Sequence, residues 1–283
     1  MTGPVVALIA PGAMGAAVAA RLTAGGIEVR TLLAGRSAAS IERAHAAGMV
    51  AVEPAGIAAA DIVLSIVPPG EAAALAEQLA PVLAAGNPKL VYADCNAVNP
   101  ATVGRIAETM AAFGVRFVDG GIIGSPPQPG AAGPTFYVAG ADAGVVEALG
   151  RHGLVVRRLD GGIGAASALK MSYGGITKGM IALASAMMLA ATRAGAADAF
   201  HAELAASQPH LLGLFERVVP DMVPKAYRWV AEMEEVAGFA GEEDAAARQI
   251  YHGIAAFYRR LAADRDGDGR EIARLTGFLD PPA

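Results

Sequence analysis

Residues 5–15 read VVALIAPGAMG, an apolar run that leads directly into a glycine-containing turn. A helical pattern follows over residues 16–24, and a second apolar run covers residues 27–33. The order strand, glycine turn, helix and strand predicts a unit whose turn points backbone N–H groups outward, at the positive end of a helix dipole. That geometry suits the pyrophosphate of a dinucleotide. We therefore predict a nucleotide site at this turn.

The turn departs from the pattern G-x-G-x-x-G at one position, because Ala10 stands where the first glycine is expected. Alanine is tolerated there if its backbone φ angle is negative. Gly12 then allows the close approach of phosphate, and Gly15 allows the helix to pack on the strand. An ordinary turn that binds no phosphate is the alternative interpretation. The predicted cofactor-binding residues of the turn are Pro11, Gly12, Ala13, Met14 and Gly15.

The end of the second predicted strand indicates which nucleotide binds. An NAD-binding chain normally carries Asp or Glu there, which accepts hydrogen bonds from the ribose hydroxyls. This strand ends in Gly35-Arg36-Ser37 and carries no acid. The guanidinium of Arg36 can hold a 2′-phosphate through charge-assisted hydrogen bonds, with help from the hydroxyl of Ser37. The pattern favours NADP(H) over NAD(H), and a solvated loop arginine is the alternative.

Composition and charge narrow the class of protein. The chain has 283 residues and a formal net charge of −5, which argues against a nucleic-acid partner. It has a single cysteine, so we expect no internal disulfide. We expect no leader sequence, and the longest strongly apolar stretch, residues 180–191, is too short to span a bilayer. We expect a cytoplasmic protein without membrane contact. No histidine has metal-ligand spacing, and the calcium-loop-like residues 264–269 lack the glutamate that such a loop requires, so we expect no metal.

The pattern of secondary structure changes near residue 160. Before it, apolar runs alternate with helical patterns, which predicts a mostly parallel sheet with helices on both faces. The predicted strands are residues 62–67, 90–93, 116–118 and 135–138, and the predicted helices are residues 71–84, 100–113 and 142–149. After residue 162 the sequence predicts helices alone, over residues 165–194, 200–207, 211–219, 225–236, 244–263 and 271–277.

The predicted helix over residues 165–194 is apolar nearly all round in its middle. A helix without a polar face must be covered on every side, and a small helical domain can hardly do that alone. We therefore expect a homodimer. The predicted fold is α/β: an N-terminal domain with a mostly parallel sheet over residues 1–162, and an all-α C-terminal domain over residues 163–283 that begins with a long connecting helix.

Four segments, residues 10–15, 35–37, 60–68 and 164–170, resemble the β-hydroxyacid dehydrogenases, which include 6-phosphogluconate and 3-hydroxyisobutyrate dehydrogenases. Imine reductases share that architecture. Around Trp229 the C-terminal part is more similar to an uncharacterised side branch of phosphogluconate-dehydrogenase-like proteins. The resemblance implies that residues 1–162 form a Rossmann-type, NADP(H)-binding domain, with cofactor contacts from Val67 and Pro68. It also implies that residues 163–283 form a helical dimerisation and substrate domain that is exchanged across a homodimer.

The resemblance also implies that Lys170 exchanges the proton of the reaction. The family pattern G-x-G-x-x-x-K is matched here by Gly164, Ala166 and Lys170. A lysine near the start of an apolar helix is partly desolvated, which favours its neutral form and suits it to general acid and base work. A lysine that extends to the surface of an interface is the alternative. Imine reductases lack a lysine here, so Lys170 favours carbonyl chemistry.

Several positions depart from the family pattern. Gly174 stands where the family has an asparagine. The family segment D-x-S-T-x-x-P near the nicotinamide reads DCNAVNP at residues 94–100, and Asn96 is the expected substitute hydrogen-bonding residue there, near both cofactor and substrate. In the substrate loop Ile123 replaces a serine, although Ser125 follows two residues later. A lysine of the C-terminal part is replaced by acidic residues around Glu232. These losses predict a substrate that is less anionic, or bulkier and more apolar, than a small hydroxy acid.

Three side chains of the helical part are further candidates for substrate binding. Lys178 lies two helical turns beyond Lys170 and could restore one positive charge. Tyr173 and Trp229 could wall the pocket, although core packing is the commoner role for such aromatic residues. Two other functions stay open on these departures: an imine or ketimine reductase, and a catalytically silent NADP(H)-binding protein.

Overall fold

The computed structural model describes residues 3–128, 130–131 and 133–280. The chain divides into two compact units, Met1–Met171 and Ser172–Ala283. The division falls inside one long helix, whose first turns belong to unit 1. The sequence placed the domain boundary earlier, at residue 162, before that helix begins.

Unit 1 is built on one sheet of eight strands among the described residues, in the order β3-β2-β1-β4-β5-β6-β7-β8. Neighbouring strands are parallel, except that β7 runs antiparallel to β6. The parallel strands β1, β2, β4 and β5 therefore end at one common edge. The strands are β1 Val6–Ile9, β2 Val29–Thr31, β3 Val50–Ala51, β4 Ile62–Ser65, β5 Val91–Asp94, β6 Arg116–Ile123, β7 Thr135–Ala139 and β8 Val155–Arg158.

Helices cover both faces of the sheet, so the central strands are buried on both sides. Val6 and Leu8 of β1 belong to one apolar core with Val18, whereas Ala7 and Ile9 belong to the opposite core. The helices of unit 1 are α1 Ala13–Ala24, α2 Ala38–Ala46, α3 Pro54–Ala58, α4 Ala72–Ala84, α5 Pro100–Ala112 and α6 Ala143–Glu147, with 3-10 turns at Pro69–Glu71 and Ala148–His152.

The structure confirms the predicted Rossmann-type fold and adds elements that the sequence pattern did not predict. Strands β3 and β8 lie at the two edges of the sheet, and Val50, Ala51, Arg157 and Arg158 are exposed. Edge strands of this kind carry no run of buried apolar residues, which is the signal used for the other strands. Strand β6 continues beyond its predicted end to Ile123, because β7 pairs with its second half.

Helix α7, Ala165–Arg193, begins in unit 1 and continues into unit 2. Unit 2 contains no strand among its described residues. Its other helices are α8 Ala197–Ser207, α9 Pro209–Met222, α10 Ala226–Ala240, α11 Ala245–Asp266 and α12 Arg270–Leu279, with a 3-10 turn at Val223–Lys225. Helix α10 packs along α11. The all-helical character predicted for this part is confirmed.

Helix α7 is long enough and apolar enough to cross a membrane, with a mean hydropathy of 1.4 over its most apolar window. Residues 180–191, the stretch singled out in the sequence, are by themselves too few to span a bilayer. The whole of α7 is long enough. In unit 1, however, Ala166, Ser167 and Met171 of α7 are buried. The first turns of α7 therefore have the burial of a core helix.

Unit 2 carries an apolar groove between α7 and α11, with a volume of about 510 Å³. Three large apolar side chains here are mostly exposed: Ile176 at 71%, Leu183 at 65% and Ile250 at 60%. Gly175 and Gly179 keep the floor of the groove low, because neither has a side chain. Burying such side chains is favourable, and in this structure they stay exposed.

Candidate cofactor and active site

The glycine turn leaves the start of α1 open. Gly12 is the N-cap of α1, with a φ angle of −71°, no side chain caps the helix, and its first turn carries no acid. A Cβ atom added to Gly12 would meet no protein atom within 4 Å. Gly12 and Ala13 are exposed. The N–H groups and the dipole at this helix end can therefore receive an anionic group, which is the fit that a dinucleotide pyrophosphate requires.

Gly15 has the opposite surroundings. A Cβ atom at Gly15 would lie 2.1 Å from the carbonyl oxygen of Ala10 and 2.9 Å from a methyl group of Leu8. Only glycine lets α1 approach β1 this closely. Ala10 itself does not have a positive φ angle. Alanine is therefore sterically acceptable in place of the first glycine.

The segment after β2 carries the predicted 2′-phosphate residues. Gly35 has a φ angle of +71°, which turns the chain before Arg36 and Ser37. Arg36 is half-buried, and the Ser37 hydroxyl caps α2 by accepting a hydrogen bond of 3.3 Å from the backbone N–H of Ser40. Since β2 is parallel to β1 and lies beside it, Arg36 and Ser37 lie at the same end of the sheet as the glycine turn, beyond the carboxyl ends of the strands. The sequence analysis missed Arg43 of α2, whose Nε donates a hydrogen bond of 3.1 Å to the Pro11 carbonyl oxygen.

Asn96 lies beyond the end of β5 and joins the ends of two strands. Its Oδ1 accepts a hydrogen bond of 2.6 Å from the backbone N–H of Val67, and its Nδ2 donates to Ser65 at 2.9 Å and to Asp94 at 2.8 Å. The residue is 2% exposed. In this structure the amide thus holds the segment that carries Val67 and the exposed Pro68 in place. A direct contact between Asn96 and a ligand stays a prediction.

Two buried carboxyl groups lie side by side beneath the sheet edge. Asp94 of β5 and Asp119 of β6 are partners in register, and both are fully buried. Burial raises the pKa of Asp94 to about 7, although hydrogen bonds from Asn96 oppose the shift. Burial also raises the pKa of Asp119. Sequence reasoning did not select either carboxyl group as a site residue.

The carboxylate of Asp119 closes the start of α7. Its Oδ2 accepts hydrogen bonds from the backbone N–H groups of Gly164 at 2.9 Å, Ala166 at 2.8 Å and Ser167 at 3.2 Å. Its Oδ1 accepts a hydrogen bond of 2.7 Å from the Ser167 hydroxyl. Gly164 has a φ angle of +102°, which glycine adopts readily and other residues do not. Asp119 therefore anchors α7 to β6.

Lys170 follows one turn later and returns to the same strand. Its Nζ donates a hydrogen bond of 2.5 Å to the carbonyl oxygen of Ile122, and the residue is half-buried. A Cβ atom at Gly121 would lie 2.9 Å from the Ala166 carbonyl oxygen and 3.2 Å from the Lys170 Cβ. Gly121 thus lets α7 lie directly on β6. The Asp119-Gly120-Gly121 segment of β6 therefore serves the placement of Lys170.

The substrate candidates of unit 2 have other partners than predicted. Lys178 forms an ion pair with Glu232, and its Nζ lies 5.3 Å from the centre of the Trp229 ring. Trp229 also packs edge to face on Tyr258. In this structure Glu232 therefore pairs with the charge of Lys178, and a contact between Lys178 and a substrate stays a prediction. Tyr173 is 51% exposed.

Ser125 lies exposed in the loop that follows β6. Unit 1 places the glycine turn, Arg36, Ser37, Val67, Pro68 and Asn96 at the carboxyl ends of neighbouring strands. Lys170 of α7 is hydrogen-bonded to β6, the next strand of the sheet. The substrate contacts of this unit stay predictions. Within the residues that the structure describes, no group of three His, Cys, Asp or Glu side chains is arranged to hold a metal ion.

Comparison with known proteins agrees with this geometry. The NAD binding domain of 6-phosphogluconate dehydrogenase matches residues 5–151, and a domain of unknown function (DUF1932) matches residues 191–261. A conserved protein of unknown function, described as structurally similar to 3-hydroxyacid dehydrogenases, is 28% identical, with a TM-score of 0.70 over 92% of this chain and 97% of that chain. No curated protein matches this chain in sequence.

Two solved structures with lower identity share the fold. The 3-hydroxyisobutyrate dehydrogenase of Mycobacterium tuberculosis, with L-serine, is 17% identical, with a TM-score of 0.67 over 93% of this chain and 94% of that chain. An imine reductase from Myxococcus stipitatus, in complex with NADP+, is 19% identical, with a TM-score of 0.53 over 98% of this chain and 100% of that chain.

The glycine turn, the parallel sheet and the helix α7 define a Rossmann-type dehydrogenase fold with a nicotinamide-dinucleotide domain. The matching NAD binding domain covers more than half of the chain. The chain belongs to the β-hydroxyacid dehydrogenase-like family, as its sequence motifs predicted, and it is an oxidoreductase by that membership.

Proposed function

We propose that this protein is an NADP(H)-dependent oxidoreductase of the β-hydroxyacid dehydrogenase type that acts on a hydroxy or carbonyl substrate. The observation that carries the proposal is the position of Lys170. Its amine reaches the carbonyl oxygen of Ile122 at 2.5 Å, in the same unit as the open glycine turn. A half-buried amine beside a dinucleotide site is suited to move a proton while a hydride is transferred.

When bound, the nicotinamide coenzyme accepts or supplies the hydride. The ammonium form of Lys170 donates a proton to the oxygen of a carbonyl substrate, and its neutral form takes a proton from a hydroxyl. Gly12 to Gly15 would receive the pyrophosphate, and Arg36 and Ser37 would hold the 2′-phosphate. Val67 and Pro68 would also contact the cofactor.

The substrate class follows from the charges that the site lacks. Ile123 stands in place of a family serine, and the charge of Lys178 is neutralised by Glu232. A small carboxylate would find few cationic or hydroxyl partners here, so we propose a carbonyl compound that is weakly anionic or apolar. Tyr173, Trp229 and Ser125 are proposed to contact it, with Asn96 near the nicotinamide. The proposed location is the cytoplasm.

The test of the reaction is an activity panel of carbonyl compounds and cyclic imines with NADPH. We expect reduction of one or more carbonyl compounds, and a loss of roughly 10²- to 10⁴-fold in kcat for Lys170→Met. The matched control is Lys89→Met, which removes an exposed lysine of the same unit. Turnover of imines alone would instead identify an imine reductase. Tight NADPH binding without turnover would identify a silent binding protein.

The test of cofactor choice is Arg36→Ala. We expect the dissociation constant for NADPH to rise by roughly tenfold or more, because a charge-assisted contact is lost, while that for NADH changes little. Arg158→Ala is the control, since Arg158 is exposed on β8 at the opposite side of the sheet. An unchanged preference for NADPH in Arg36→Ala would reject the assignment.

We also propose that a second copy of the chain covers the apolar groove of unit 2. Ile176, Leu183 and Ile250 present large apolar side chains to solvent there. Leu183→Asp should convert a dimer into a monomer in sedimentation equilibrium, whereas Leu204→Asp on α8, outside the groove, should leave the mass unchanged. A monomeric wild-type protein would reject the proposed dimer.

A further inference from the structure

Arg43 is a charged side chain at the glycine turn for which the proposed function gives no role. It projects from α2 and crosses to the loop that begins α1. Its Nε donates a hydrogen bond of 3.1 Å to the carbonyl oxygen of Pro11, and its Nη2 donates one of 2.9 Å to the Ser40 hydroxyl. The guanidinium is therefore held at two points, although the residue as a whole is exposed.

Hydrogen bonds connect this guanidinium to the proposed 2′-phosphate residues. The hydroxyl of Ser37 donates to that of Ser40 at 3.1 Å, and Ser40 accepts in turn from Arg43. Ser37 follows Arg36 directly in the chain. The Arg43 guanidinium and two hydroxyls thus lie together at the start of α2, next to the glycine turn, and Arg36 directly precedes them in the chain.

In the described part of the chain, neither Arg36 nor Arg43 forms an ion pair, and the first turn of α2 contains no acid. An arginine side chain has five N–H donors, and Arg43 uses two of them on Pro11 and Ser40. The remaining donors can hold a doubly charged oxyanion, for which a fixed guanidinium is well suited.

We propose that Arg43 is a specificity-determining residue that binds the 2′-phosphate of NADP(H) together with Arg36. This inference rests on the proposed NADP(H) function and adds a second cation to that site. The hydrogen bond to Pro11 holds the guanidinium in place before the cofactor arrives, so less side-chain entropy is lost on binding. The same bond also ties α2 to the pyrophosphate turn.

The experiment compares 2′,5′-ADP, which carries the 2′-phosphate, with 5′-AMP, which lacks it, by isothermal titration calorimetry. For Arg43→Ala we expect a loss of roughly tenfold to a hundredfold in affinity for 2′,5′-ADP, because contacts to a charged group are removed. The affinity for 5′-AMP should change less than about twofold. Arg43→Gln should behave similarly, since the amide can still reach a carbonyl oxygen but carries no charge. Arg158→Ala is the control variant.

The outcomes separate this inference from the proposed function. A wild-type protein that binds both nucleotides equally would overturn both. A wild-type preference for 2′,5′-ADP that Arg43→Ala and Arg43→Gln retain would overturn the role of Arg43 alone. An equal loss for both nucleotides would show that Arg43 acts only as a clamp between α2 and the turn, which also overturns the inference. Thermal unfolding of each variant without ligand identifies a misfolded protein, in which case Arg43→Gln decides.

Discussion

Two helix N-termini in unit 1 face the same physical problem and solve it differently. The first N–H groups of any α-helix have no partner within the helix, and the dipole makes that end positive. Helix α1 leaves this end open at Gly12, whereas α7 receives the buried carboxylate of Asp119. The open end is available to the anion of a ligand. The closed end is already occupied by a side chain of the protein, and this contact fixes the start of α7, which positions Lys170.

This comparison shows that a helix terminus becomes a binding site because of what is missing beside it. Both helices follow a strand of the same sheet and both begin near a glycine. At α7, Asp119 of β6 supplies the negative charge, so the protein itself provides the anion at this helix end. At α1 no side chain of the described residues supplies it. The following changes would break or sharpen that difference.

The largest effect is expected where the closed terminus is opened. Asp119→Ala would leave the N–H groups of Gly164, Ala166 and Ser167 without their acceptor in a buried place. We expect the free energy of unfolding to fall by roughly 3 to 5 kcal/mol, measured by urea denaturation. Asp160→Ala, which removes an exposed aspartate, is the control. Equal midpoints for the two variants would contradict the anchoring role.

A paired substitution separates the two glycines of the open terminus. Gly15→Ala would place a methyl group 2.1 Å from the Ala10 carbonyl oxygen, so α1 must shift and stability should fall by about 1 to 3 kcal/mol. Gly12→Ala meets no protein atom, so the unliganded protein should keep its melting temperature while NADPH affinity falls. A Gly12→Ala protein that binds NADPH normally would show that the cofactor does not approach this turn.

The two buried carboxyl groups predict a pH dependence of stability. The pKa of Asp94 is about 7 in the folded protein, well above that of an unfolded aspartate, so the folded state binds more protons between about pH 4 and 7. The free energy of unfolding should therefore fall as pH rises through this range, by about 1 kcal/mol per pH unit from this group, and then level off. Asp94→Asn should flatten that slope, and the part that remains belongs to groups such as Asp119. An identical slope in both proteins would contradict the assignment.

The smallest effect concerns helix ends capped by their own side chains. Ser37→Ala removes the cap of α2, and Asp244→Ala removes the cap of α11 in unit 2. Each should lower stability by about 1 kcal/mol. Only Ser37→Ala should also weaken NADPH binding, because only that cap belongs to the proposed cofactor site. Parallel losses of NADPH affinity in both variants would remove Ser37 from the site.

The sequence predicted most of the fold because buried parallel strands and a glycine turn have strong local patterns. It also predicted the separate roles of Gly12 and Gly15, since each follows from the position of a glycine in a single turn. Partners that come from distant segments could not be predicted in this way. The pairing of Lys178 with Glu232 joins two helices far apart in the chain, and the contact of Arg43 with Pro11 joins α2 to the turn before α1. Neither pair has a local signal.

Cys95 directly follows the buried Asp94 and is the only cysteine of the chain. It is 4% exposed, and burial together with the charges of Asp94 and Asp119 raises the pKa of its thiol. Since the thiolate is the reactive species, the folded protein should resist maleimide and disulfide reagents. The rate at which Cys95 is labelled would then report how often unit 1 unfolds locally and exposes the thiol. No cysteine needs to be introduced for this measurement. Added NADPH should slow that labelling to the extent that it stabilises the closed state.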